Sequence, residues 1–323
     1  MKEKITIWFL VCVFVPFFPG ILPAQEFPTK PINVLIGYAP GGSTDLSVRA
    51  LASEVSKILK QPVICSNQPG ANGTLVLGRV KGEKPDGYTI FSAPTAAFGA
   101  TPHVQPVPYE PLKDFTYIMQ YALYQSGVVV RSDSPWKTLE ELMEHIQNNP
   151  NKIKYVTAGI GSGGHRGAIY LEERYGLKWN HVPVKSGMEC VTTLLGGHVE
   201  VMSQTTEWKE QVRAGKFRLL VITSDQRLKS FPDVPTLKEK GHPFAVYSGL
   251  CFVGPADMPA PVVEKLQNAF TQAMKTQVFL DVLDKFDMPT AYLDSASLTK
   301  MLPKEYQQTG EQFRRLGLGI YKK

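Results

Sequence analysis

An α/β architecture with two lobes follows from three features of the sequence. Short apolar runs alternate with amphipathic stretches of helical length from end to end, the pattern of mainly parallel sheets flanked by helices. Beyond its first two dozen residues the 323-residue chain still has about 300, more than a typical single domain of roughly 100–200. Two glycine-rich loops, far apart in sequence, each follow an apolar run and open an amphipathic one.

Taken in order, residues 32–37 read as a buried strand and 44–59 as a helix with Leu46, Ala50, Leu51, Val55, Ile58 and Leu59 on one face. A second strand covers 62–65, a helix 73–81, and a third strand 88–92 after the Pro85-Asp86-Gly87 turn. Residues 127–130 form another strand. Thr138-Leu139-Glu140-Glu141 has the Thr-x-x-Glu form of a capping box and opens a helix that stops before Pro150. Strand 153–157, helix 165–175, strand 179–184, helix 188–195, strand 199–203, helix 206–213 and strand 217–223 continue the alternation. After a proline-rich connection, 245–253 reads as a longer strand, and the remainder as helices over 261–276, 278–286 and 298–316. Residues 118–126 and 244–249 read as crossings between lobes. One lobe is then 25–121 with 249–323, from both ends of the chain, and the other is 122–248, with a cleft between them.

The first 24 residues have the layout of a cleavable export signal. Lys2 and Lys4 precede an almost unbroken apolar run over 5–18, followed by Pro19, Gly20, Pro23 and the small Ala24 as the last residue removed. The run is shorter than the roughly 20 residues a membrane-spanning helix needs. The formal charge of +6 is modest and dispersed. No clustered basic face with aromatic platforms is present, which argues against nucleic acid, while a mild positive bias suits an anionic ligand. Cys65, Cys190 and Cys251 follow the leader in an odd number, without C-x-x-C or Cys/His metal spacing, so neither a zinc site nor a disulfide framework is expected. Cys65 and Cys251 lie in apolar runs and read as buried free thiols. His103, His145, His181, His198 and His242 are scattered, and packing or surface roles are expected. Trp136, Trp179 and Trp208 are expected to pack beneath loops.

Chemistry concentrates in the two loops. In Tyr38-Ala39-Pro40-Gly41-Gly42-Ser43-Thr44-Asp45 the glycines let successive N–H groups point one way, and the helix start adds about half a positive charge. Ser43 and Thr44 add hydroxyls, so a carboxylate fits there without an arginine. Asp45 is either a helix cap or an acceptor for an amino or hydroxyl group on a ligand. Thr157-Ala158-Gly159-Ile160-Gly161-Ser162-Gly163-Gly164-His165 repeats the arrangement in the second lobe. Ligands of open α/β sheets sit beyond the carboxyl ends of strands, where both loops lie. The second loop contains Gly159-x-Gly161-x-x-Gly164, a weak signal by spacing alone, but no Walker lysine follows either loop and no G-x-S-x-G elbow occurs. Ser162 and His165 leave a periplasmic esterase open as an alternative, but no acid partner accompanies them, so a non-catalytic protein is expected.

The first loop, with Asn67-Gln68-Pro69-Gly70-Ala71-Asn72-Gly73 and Pro85-Asp86-Gly87-Tyr88-Thr89, resembles the Bug-type extracytoplasmic solute-binding receptors of tripartite tricarboxylate transporters. Asp114-Phe115, Gly161-Ser162-x-x-His165, His181-Val182-Pro183, Leu194-Leu195-Gly196-Gly197-His198-Val199 and Asp233-Val234-Pro235-Thr236 carry the resemblance through nearly the whole chain after the leader. It implies a periplasmic binding protein of the type II, Venus-flytrap kind, monomeric, without metal or cofactor. Its partners would be a small carboxylate (a di- or tricarboxylate, an aromatic acid, an acidic amino acid) and the membrane permease subunits of such a transporter. A sensor that reports occupancy to a signalling kinase is the other role open to it.

The resemblance also implies a binding set. Tyr38, Gly41, Gly42, Ser43, Thr44 and Asp45 from the first loop, with Gly161, Ser162 and His165 from the second, would grip the carboxylate through amides, hydroxyls and bridging waters. Ser92, Thr95, Lys185, Ser186, Gln204, Thr205 and Tyr247 stand in segments that line the rest of the pocket. The sequence departs from the family pattern at Arg166, where an apolar residue is usual, and at Val184-Lys185-Ser186-Gly187, where Tyr-Lys-Gly is frequent. It departs again at Ser203-Gln204-Thr205-Thr206, where an Asp is common. These positions bear on which ligand is bound rather than on the fold.

Overall fold

Runs of Ile, Val and Leu too short for helices pair as strands, and the amphipathic segments between them cover the resulting sheets. The computed structural model describes residues 26–315 and 319–321. The expected export signal over 1–24 lies outside the described residues. The chain runs β1 (Ile32–Ile36), α1 (Ser43–Leu59), β2 (Val63–Asn67), α2 (Thr74–Val80), β3 (Thr89–Pro94), the short α3 (Ala96–Gly99) and α4 (Thr101–Val104), and β4 (Phe115–Leu123). It continues with β5 (Ser126–Arg131), α5 (Leu139–Asn148), β6 (Lys154–Thr157), α6 (Gly163–Tyr175), β7 (Asn180–Pro183), α7 (Gly187–Leu195), β8 (Val201–Thr205), α8 (Lys209–Arg213) and β9 (Phe217–Ile222). The last elements are β10 (Gly249–Pro255), α9 (Ala260–Ala273), α10 (Gln277–Lys285), β11 (Thr290–Leu293) and α11 (Ser295–Arg315).

Two sheets result, a six-stranded one ordered β11-β4-β10-β3-β1-β2 and a five-stranded one ordered β7-β6-β8-β5-β9. Both are mixed, and the chain path explains why. Strands joined by a helix run parallel, as β1 does with β2 and β3, and β6 with β7 and β8. A strand that arrives directly from the other sheet starts at the facing end and runs back, so β10 is antiparallel to β3 and β4, and β5 to β8 and β9. The first crossing is shorter than the expected 118–126: residues up to Leu123 belong to β4, where Thr116 and Gln120 dilute an otherwise apolar run. The expected strand 245–253 begins only at Gly249, because the residues before it form the second crossing. The Thr138 cap is present, with Oγ1 accepting from Glu141 N at 3.2 Å.

Each sheet is covered on both faces. Val48, Leu51, Leu266, Phe270 and Phe279 of α1, α9 and α10 pack on one side of the larger sheet, and Leu77, Phe98 and Leu302 on the other. Leu142, Ile146 and Leu171 cover one face of the smaller sheet, with Cys190, Leu194 and Trp208 on the other. Full burial of each such side chain stabilises by about 1.5–3 kcal/mol. Trp136, Trp179 and Trp208 all pack within these cores. Cys65, Cys190 and Cys251 are free thiols, and Cys65 is only half-buried because it lies on edge strand β2.

The two bodies are pinned together beside the first crossing. Lys209, at the start of α8 in the smaller body, meets Asp287, just beyond α10 in the larger one, at 3.1 Å with both side chains 3% exposed. Lys209 Nζ also donates to Asp284 O at 2.7 Å, and Ser230 Oγ to Asp287 Oδ1 at 2.8 Å. Removing one partner of such a pair leaves an uncompensated buried charge, at a cost of about 3–5 kcal/mol. Lys209→Met is therefore expected to lower the unfolding free energy by about 3 kcal/mol or more in urea titrations. A change within about 0.5 kcal/mol would mean that water reaches the pair.

Candidate binding site between the two bodies

Strand β1 ends at the face turned toward the smaller body, and the loop after it opens α1. Its shape is set from within. Asp45 Oδ2 accepts from Gly41 N at 2.9 Å, and Oδ1 accepts from Arg49 Nε and Asn67 Nδ2, both at 2.8 Å. With both oxygens engaged inside the larger body, Asp45 shapes the loop. Gly42 is the residue at the N-cap and provides no side-chain cap. The first amides of α1 are thus left for an outside acceptor.

The second loop is locked by its histidine. Ser162 caps α6, its Oγ accepting from His165 N at 3.3 Å, while His165 Nδ1 accepts from Gly161 N at 3.0 Å. The His165 ring stacks on His181 with centroids 4.1 Å apart, and His181 Nε2 lies 2.7 Å from Thr157 Oγ1. Burial lowers the pKa of His165 to about 3, the neighbouring His181 adding to it, and burial lowers His181 to about 4. No bond links the Ser162 hydroxyl to the His165 ring, so the pair is not set up as nucleophile and base. Gly161 adopts φ +78, and a Cβ there would lie 2.6 Å from Thr101 Oγ1 of the opposite body. Only glycine permits both the turn and the approach.

These loops meet, with the N-terminus of α7, around a cavity of about 30 Å³. Of the expected binding residues, Tyr38, Gly42, Ser43, Thr44, Ser162, Ser186, Gln204 and Thr205 line it. Gly41, Asp45, Gly161 and His165 shape its loops without lining it. Four residues stand elsewhere. Ser92 falls on the same face of β3 as the core residue Ile90, 3.1 Å from Tyr121 OH. Thr95 Oγ1 accepts from Gly249 N at 3.0 Å inside the larger body. Lys185 is exposed, and only its backbone is engaged, with Glu189. Tyr247 is 39% exposed and donates from its hydroxyl to Gln120 Oε1 at 3.1 Å. It borders a separate groove of about 990 Å³, into which Arg166 also turns while donating to Tyr247 O.

Asn72, Tyr124 and Glu207 also line the cavity and escaped sequence reasoning, whereas Gly163, Gly187 and Ser248 stand in segments to which the family resemblance pointed. Asn72 sat within a recognised motif and accepts from Tyr38 OH. Tyr124, at the crossing, shares a hydrogen bond with Thr44 Oγ1. Glu207 had no signal, being one acidic residue in a segment read as helix. Its Oε1 accepts from Ser43 Oγ at 2.5 Å and from Ser43 N at 3.4 Å, and its Oε2 from Thr205 Oγ1 at 2.5 Å. A carboxylate of the smaller body thus rests on the N-terminus of α1. Burial and this carboxylate hold the Tyr38 phenol well above its usual pKa. The amides of Gly163 and Gly164 in α6, and of Gly187 and Met188 in α7, find no acceptor among the described residues.

Two α/β bodies with helix N-termini converging between them define a solute-binding protein, and the fold is that of periplasmic binding proteins. The chain belongs to the tripartite tricarboxylate transporter family of receptors, whose profile matches residues 47–318. It is 36% identical over 300 residues to a UPF0065 protein of Cupriavidus necator, covering 93% of this chain and 91% of that one. Protein BugT of Bordetella pertussis is 27% identical, over 80% of each chain. Among solved structures, the periplasmic binding protein BugD superposes with a TM-score of 0.85 at 28% identity, over 91% of this chain and 99% of that one. MatC of Rhodopseudomonas palustris with bound malate gives 0.82 at 26% identity, over 88% and 99%.

The histidine pair sets a pH dependence. Their folded pKa values lie below the ordinary 6.5, so between about pH 6.5 and 4 the unfolded chain binds more protons. The stabilisation is complete above pH 6.5 and is lost as pH falls toward 4. Glu173, raised to about 7 mainly by burial, acts in the opposite sense above its ordinary value of 4.5, so the comparison with a variant isolates the histidines. Stability of wild type relative to His181→Phe is expected to decline from pH 7 to pH 4. Parallel profiles for the two proteins would show that His181 takes up protons freely in the folded state.

Proposed function

We propose that this chain is a periplasmic receptor that captures a small carboxylate by closing its two lobes and delivers it to the permease subunits of a tripartite tricarboxylate-type transporter. Residues 1–24 direct export and are removed. Residues 25–121 with 249–323 form one lobe and 122–248 the other, and they move about the crossings near Tyr124 and Ser248. The receptor acts as a monomer and performs no chemistry on its solute.

One observation supports the ligand class above the others: the site already holds a carboxylate. Glu207 shows that the loop before α1 accepts such a group on an amide and a hydroxyl, with no arginine or lysine among the described residues lining the cavity. The amides at the starts of α6 and α7 offer the same kind of donor, strengthened by the helix dipole. The malate bound by MatC is in keeping with this chemistry. The esterase alternative loses its support in the bonding of Ser162 and His165 described above.

A bound carboxylic acid should lose affinity when its charge is removed. Charge-assisted hydrogen bonds contribute about 1.5–3 kcal/mol, so the primary amide or methyl ester is expected to bind roughly ten- to hundred-fold more weakly in calorimetry. Equal affinity of the acid and its neutral analogue would refute an anion site, and recovery of a hydrolysed product would restore the enzyme.

A further inference from the structure

Glu207 does more than demonstrate what the site can hold. It leaves the smaller body on the turn Thr206–Trp208, directly after β8, and reaches the first amide and hydroxyl of α1 in the larger body. The approach is built on both sides. A Cβ at Gly187 would stand 2.5 Å from the Glu207 carboxyl carbon, so a side chain there would push the carboxylate from its present place. A Cβ at Gly42, on the other side, would stand 4.0 Å from Oε1. The carboxylate therefore lies between the N-termini of α1 and α7, held by Ser43 and Thr205.

The consequence is a change in what the solute must bring. The anion position on α1 is filled by the protein itself, and the cavity beside it is small, about 30 Å³. The polar groups lining this space are neutral apart from Glu207: Tyr38, Asn72, Tyr124 and Gln204, with the Ser and Thr hydroxyls. A second solute carboxylate there would face Glu207 at close range with no cation between them. An ammonium would instead supply the missing counter-charge, while the solute's single carboxylate takes the free amides at the starts of α6 and α7.

We propose that Glu207 is the specificity-determining residue of this receptor, selecting small zwitterions with one carboxylate and one ammonium over dicarboxylates of the same length. This rests on the carboxylate-receptor function proposed above and narrows it. The test is calorimetry on wild type, Glu207→Gln and Glu207→Ala, each checked for native circular dichroism. The probes are matched sets of three- to six-carbon straight-chain dicarboxylates, amino acids (α- and ω-amino) and unsubstituted monocarboxylates. Wild type should bind an amino acid at least tenfold more tightly than the dicarboxylate of equal length, and Glu207→Gln should lose that preference or reverse it. Two outcomes overturn the inference alone. One is tight binding of a dicarboxylate by wild type. The other is a dicarboxylate gaining affinity in Glu207→Ala while amino acids stay silent throughout, which would make Glu207 a plug that solute displaces. Silence of every probe on all three proteins would remove the carboxylate-receptor function itself, and this inference with it.

Discussion

The N-termini of α1, α6 and α7 point into one small space, and each carries backbone N–H groups that no carbonyl of its own helix can satisfy. A buried donor without an acceptor costs about 1–3 kcal/mol, so the convergence is tolerable only if lone pairs arrive from elsewhere. At α1 they come from Glu207, and at α6 and α7 they are left to a solute or to water. The rest of the site follows from holding these donors in place. Asp45 ties down one loop with both of its oxygens, and His165 ties down the other through Gly161.

The same geometry links recognition to closure. The second loop reaches the larger body at Gly161, where nothing bigger than hydrogen fits against Thr101, and Glu207 and Lys209 cross between the bodies within three residues of each other. Under the proposed receptor function, a solute seated on α6 and α7 would gain its remaining contacts only when α1 is near, the differential affinity that closure requires. The Lys209–Asp287 pair joins the same two bodies beside the first crossing. Glu207, bonded to Ser43 across the two bodies, satisfies α1 and leaves the other two helix starts to a solute or to water.

Much of this was legible in sequence because it depends on local pattern. The βαβ alternation, the Thr138 cap, the two glycine-rich loops and the family resemblance all survive translation into structure. So do Tyr38, Gly42, Ser43, Thr44, Ser162, Ser186, Gln204 and Thr205 as lining residues. What failed did so for physical reasons. Strand β4 was obscured because Thr116 and Gln120 interrupt its apolar run, and Ser92 was misplaced because strand alternation turns it into the core. Tyr247 faces the larger groove, since the second crossing carries it past the cavity rather than into it, and Arg166 of α6 borders the same groove. Glu207 was invisible because its importance lies in a contact with Ser43, 164 positions away, which no local pattern encodes.

Hydrogen exchange on the free and solute-bound protein tests the central claim most directly, because it reads the backbone donors themselves. With a carboxylate that binds in calorimetry, amide exchange should slow together at 163–164 and 187–188, in the smaller body. It should slow also at 42–44 in the larger one, by roughly tenfold or more. Residues 166, 244–247 and 304–308, around the outer groove, should be unaffected. Slowing confined to one body, or centred on the outer groove, would contradict a site assembled from facing helix N-termini.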